Sequence, residues 1–136
     1  MSRPDLSREQ TVGRLQRELD ARFEIVLALL HGSFPAGGTY RDIDVAVWLD
    51  PIRLSREERF RYAVDLSVHL HVHMASPIDV RVLNDAPLAF RYHALQGRPL
   101  VVRDETFLDE LCARTWDDYL DFQPFARQYL REALSE

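Results

Sequence analysis

At 136 residues, 46% of them hydrophobic and 29% charged, the chain has the size and balance of a single soluble globular domain, residues 1–136. Its formal net charge of −5 builds no field that would gather nucleic acid or anionic lipid, so a small nucleotide suits it better than a long polynucleotide. All 17 basic residues are arginine, which excludes lysine-based phosphate binding and catalysis; the lone Cys112 excludes an intrachain disulfide, and no apolar run approaches the ~20 residues of a membrane span. A polar start at Met1–Ser7 without a signal-peptide core, together with that cysteine usage, predicts a cytoplasmic protein.

Ser7 to Ala21 is predicted as a first helix, with Ser7 and Gln10 in capping-box spacing and Val12, Leu15 and Leu19 forming an apolar stripe. Phe23 to Leu30 reads as a buried strand closed by a glycine–serine turn, and Asp42 to Leu49 as a second strand ended by Asp50-Pro51. Ser55 caps a helix running to about Leu70, with Phe60, Ala63, Val64 and Leu66 on its apolar face. Pro77 to Leu83 alternates as a third strand, and Ala86 to Gln96 forms a short helix with Gly97 as its C-cap. Leu100 to Val102 is a short edge strand behind Pro99. From Thr106 onward (residues 105–136 as a segment) the chain is helical, with a break near Pro124. The pattern predicts an α/β or α+β unit with all strands in its first three-quarters.

The chemistry is concentrated between Leu30 and Val47. Gly32 and Ser33 form a turn whose backbone N–H groups and hydroxyl suit a phosphate. Asp42 and Asp44 alternate on the following strand, so they project from one face with Cβ atoms about 6–7 Å apart. Asp79 shares a face of its own strand with Arg81, and that strand can lie beside the first pair. Three clustered carboxylates repel one another and raise each other's pKa unless a cation sits among them, and Mg²⁺ prefers such oxygen ligands completed by nucleotide phosphates.

This combination resembles the polymerase-β-type nucleotidyltransferases. It is most similar to the minimal nucleotidyltransferases (MNT), the antitoxin half of HEPN–MNT toxin–antitoxin pairs. The resemblance is carried by Leu30-His-Gly-Ser-Phe34 with Asp42-Ile-Asp-Val-Ala-Val47, by Ile78-Asp-Val-Arg-Val-Leu-Asn84, and by Tyr119-Leu-Asp-Phe-Gln-Pro-Phe125. It implies a polymerase-β-like fold, a small mixed sheet flanked by helices, with ATP and Mg²⁺ as ligands. It also implies transfer of AMP to a tyrosine of a cognate HEPN ribonuclease toxin. Gly32 and Ser33 would hold the triphosphate, Asp42 and Asp44 the metal ions, and Asp79 a metal ion while helping to deprotonate the acceptor. Three features depart from the family pattern: a spacer trimmed to eight residues, Phe34 to Arg41; Ala36 where an arginine is common; and Arg41 where serine is common.

Two other readings stand beside this one. One is an antitoxin that blocks its toxin sterically through a degenerate nucleotide site, and the other a small-molecule nucleotidyltransferase, for which the chain lacks a second substrate domain. His69, His71 and His73 are expected at a helix end, where histidines favour the dipole, in preference to a metal site. His31 is expected to pack, although it would lie close to the nucleotide. Of Trp116, Tyr119, Phe122, Phe125 and Tyr129, most are expected in the core and some on a partner-binding surface.

Overall fold

The structure is a computed structural model that describes residues 3–32 and 43–134, with side chains from Arg8 onward. The elements run α1 (Arg3–Asp20), β1 (Ile25–His31), β2 (Ile43–Leu49), α2 (Arg56–Met74), β3 (Ile78–Val82), α3 (Leu88–Ala94), β4 (Arg98–Val102) and α4 (Glu105–Leu134). The four strands form one mixed sheet in the order β3-β2-β1-β4. β1 pairs antiparallel with β2 and β4, whereas β2 and β3 are parallel, the α2 crossover between them allowing that direction.

Alternation along the strands divides the core in two. Ala28, Leu30, Val45, Val47 and Val80 face Leu15 and Leu19 of α1 and Leu66 and Leu70 of α2. Leu27, Leu29, Ala46 and Leu83 face Ala94 of α3 and Leu111 of α4, with Trp48, Phe90 and Phe107 at the margin. Helices therefore cover both faces of the sheet, and β4 is an outer strand as expected.

Several boundaries differ from expectation. Helix α1 begins at Arg3, so Ser7 lies inside the helix and does not cap it. The Ser55 capping box does form: Ser55 Oγ accepts from the Glu58 N–H while Glu58 Oε1 accepts from the Ser55 N–H, at 3.3 and 2.9 Å. Helix α2 continues to Met74 and ends at Ala75 in the left-handed region, with φ of 50°. It buries Ala63, Leu66 and Leu70, but Phe60 and Val64, assigned above to its core face, are 72% and 47% exposed. Those two lie a quarter-turn or more away from the stripe that meets the sheet.

Gly97 is not a left-handed C-cap; Leu95 caps α3 in a right-handed conformation. Its glycine is required because a Cβ there would run into the Leu30 carbonyl oxygen and press on the Ala94 oxygen. The expected break at Pro124 is absent, and α4 runs 30 residues through it. Proline frees the carbonyl four residues back, here that of Leu120, and Leu120 is 51% exposed, on a stretch of the helix open to solvent. Only Leu111 and Thr115 of α4 are buried. Most of its aromatic residues are thus not core: Phe125 and Tyr129 are each 72% exposed, while Tyr119 stacks on Tyr92 of α3 at 3.8 Å.

Candidate active site

The parallel register of β2 and β3 sets Asp44 directly beside Asp79. Adjacent strands lie about 4.8 Å apart, and both residues occupy the sheet face shared by Ala46 and Leu83, so the two carboxylates project together. This end of the face lies beyond the packed contacts of α4, and Asp79 is 51% exposed. Arg81 Nε donates to Asp79 Oδ2 at 2.9 Å, and its guanidinium lies 5.5 Å from the Phe90 ring. One Asp79 oxygen is thereby oriented by Arg81, and among the described residues the other has no hydrogen-bond partner. Asp44, Asp79, Ile43, Ile78, Pro77 and His71 line a cleft of about 190 Å³ at the strand ends.

Gly32 closes β1 against the same carboxylate. Its φ is +81°, and a Cβ there would lie 2.7 Å from Asp44 Oδ2. Glycine is needed twice over, for the turn and for the close approach of the carboxylate. Ser33 and Asp42, and with them Ala36 and Arg41, lie outside the described residues. Among the described residues no group of three His, Cys, Asp or Glu is gathered as a metal ion would require. The described part of the candidate site is therefore a pair, Asp44 and Asp79, beside the Gly32 turn. The pair fits Mg²⁺ in donor type, since both ligands are hard carboxylate oxygens and the cleft beside them is open.

His31 is placed opposite Asp44 in the β1–β2 register. Its ring meets Phe90 edge-on at 5.4 Å, and its Nε2 is buried without a hydrogen-bond partner. Burial holds the imidazole below its ordinary pKa, against the opposing pull of the Asp44 carboxylate. A neutral, packed ring agrees with the expectation for this residue. His31→Phe keeps the ring contact and removes the orphaned nitrogen, so it should raise unfolding stability by about 1 kcal/mol in a urea titration.

His69, His71 and His73 lie towards the end of α2, as expected. His69 and His73 stack at 3.9 Å, and His69 Nε2 lies 3.4 Å from Glu18 Oε1 of α1. The contribution of His71 to the carboxylate cleft was not legible in sequence, because it depends on α2 extending past Leu70. Arg81 beside Asp79 was legible from alternation alone.

Residues 14–106 match the profile described as polymerase beta, nucleotidyltransferase. The chain belongs to that family. Among curated proteins none matches this family member in sequence. Its fold is shared with solved structures of low identity. One is a chain of a toxin–antitoxin crystal structure with AMP-PNP, at TM-score 0.69 and 20% identity over 93% of this chain and 98% of that one. Another belongs to the toxin–antitoxin MntA-HepT, at TM-score 0.68 and 16% identity with the same coverage. A third comes from a tri-AMPylated Shewanella oneidensis HEPN toxin in complex with MNT antitoxin, at TM-score 0.70 and 19% identity, covering 93% and 98%. Among the described residues of this nucleotidyltransferase-family chain, no helix is long and apolar enough to cross a membrane.

Proposed function

We propose that this chain is an MNT-type antitoxin that transfers AMP from ATP to a tyrosine of a cognate HEPN ribonuclease toxin, in a Mg²⁺-dependent reaction. The observation that carries the proposal is the register of Asp44 with Asp79 beside the Gly32 turn. The similar structures lend support, because they include a toxin–antitoxin with an ATP analogue and an AMPylated HEPN toxin.

In this reading Gly32 and Ser33 hold the triphosphate, and Asp42, Asp44 and Asp79 are the residues that would hold Mg²⁺. The bound ion would offset carboxylate repulsion and neutralise charge on the phosphates. Asp79 receives the proton of the tyrosine hydroxyl. The phenolic oxygen then bonds to the α-phosphorus, the bond from that phosphorus to the bridging oxygen breaks, and pyrophosphate leaves. Arg81 fixes the Asp79 carboxylate for this task and brings positive charge to a site whose spacer carries Ala36.

A steric antitoxin is the second reading, favoured by the exposed apolar side chains of α4, which would be buried against a partner without any nucleotide. Intact-mass measurement of a cognate HEPN protein after incubation with this chain, ATP and Mg²⁺ separates the two. Gain of one or more AMP units is the expected result; an unmodified but neutralised partner would establish the steric reading.

Gly32→Ala should impair both fold and site. The left-handed backbone costs roughly 1–2 kcal/mol for a non-glycine residue. Displacement of the Asp44 carboxylate by about an ångström should slow transfer about 10²-fold. Thermal melting and initial rates of AMP transfer check the two effects separately.

A further inference from the structure

An apolar groove of about 740 Å³ runs along the outer edge of β3. Its floor is Val80 to Val82, one wall is Phe60 and Val64 of α2, and the other is Pro87 and Phe90 near α3. Phe60, Val64 and Val68 recur at every fourth residue and are 72%, 47% and 60% exposed. They form a second apolar stripe on α2, directed at the groove and not at the sheet. Among the described residues, β3 has no strand neighbour on this side. Ser67 Oγ already takes the Val80 N–H at 2.9 Å, so an extended peptide in the groove would be held chiefly by its apolar walls.

The groove starts at Asp79, the residue it shares with the carboxylate cleft. At its other end stands Arg56, which has no ion-pair partner among the described residues, whereas neighbouring Asp85 is held by Arg59 at 3.1 Å. A chain laid along β3 advances about 3.3 Å per residue, so a hydroxyl at Asp79 puts a side chain two or three positions away between Phe60 and Pro87.

We propose that this groove seats the partner segment that carries the acceptor hydroxyl. The segment is extended, with an apolar residue two or three positions from the acceptor and an acidic residue beyond it facing Arg56. The proposal rests on the AMP-transfer reading above and adds to it where the acceptor binds.

The test uses residues 1–136 and a cognate HEPN protein. Phe60→Arg and Val64→Arg, both at exposed positions, should raise KM for the HEPN protein about tenfold while leaving the melting temperature and KM for ATP unchanged. Benzoylphenylalanine at position 60 should photocrosslink within a few residues of the modified tyrosine. Wild-type KM for the acceptor in both variants would overturn the inference. So would an absent crosslink, or one to a second copy of this chain or to a remote face of the partner. A crosslink to one partner segment by a wild-type protein that transfers no AMP would instead remove the enzyme reading and leave the docking surface.

Discussion

Asp44→Asn is expected to lower AMP transfer by about three orders of magnitude while leaving the fold at least as stable. A carboxylate that holds a catalytic cation contributes several kcal/mol to the transition state, and about 4 kcal/mol corresponds to about 10³ in rate. The amide keeps the shape of the side chain, so the close contact with Gly32 is preserved. Without Mg²⁺, the two carboxylates sit side by side on β2 and β3 with Arg81 Nε 2.9 Å from Asp79 offsetting part of their repulsion, so removing the Asp44 charge should leave stability unchanged or slightly raised. Activity should therefore fall without loss of stability, a signature that simple misfolding would not produce. Mg²⁺ should raise the melting temperature of the wild-type protein more than that of the variant. Initial rates at saturating ATP and thermal melts with and without Mg²⁺ check both halves.

Gly97→Ala is expected to cost about 3 kcal/mol, the upper range for forcing an extra carbon into packed structure. The added methyl meets backbone, the Leu30 and Ala94 carbonyls, and no flexible side chain gives way. Relief requires β4 to move off β1 at the Leu30–Arg98 pair. Leu30 precedes His31 and Gly32, so the strain also reaches the candidate site. A urea titration should show a lower midpoint, and residual AMP transfer should fall at temperatures where the variant is still folded.

The candidate site was legible because strand alternation has a period of two. Asp44 and Asp79, once placed on strands, had to face the same way as their i+2 neighbours, and only their adjacency waited on the sheet order. Gly32 was legible as a turn, but its second reason, the room it leaves for Asp44, is a tertiary contact. The helices were harder. α2 carries two apolar stripes, one through Ala63, Leu66 and Leu70 and one through Phe60, Val64 and Val68, and hydropathy does not say which meets the sheet. The aromatic spacing of α4 announced a helix face, not whether that face would be covered by its own sheet. Beyond Thr115 no residue of the helix is buried, and Phe125 and Tyr129 remain exposed. Gly97 looked like a helix cap because glycine serves both a left-handed turn and a close backbone approach, and sequence does not distinguish them.

The most direct measurement follows ATP labelled in turn at the α- and γ-phosphate, incubated with this chain, Mg²⁺ and a cognate HEPN protein. The α-label should pass to the HEPN protein, the γ-label should leave as pyrophosphate, and Asp44→Asn and Asp79→Asn should each cut the transfer to a small fraction of the wild-type rate. Transfer of the γ-label, or α-label transfer undiminished in both variants, would contradict the proposed mechanism.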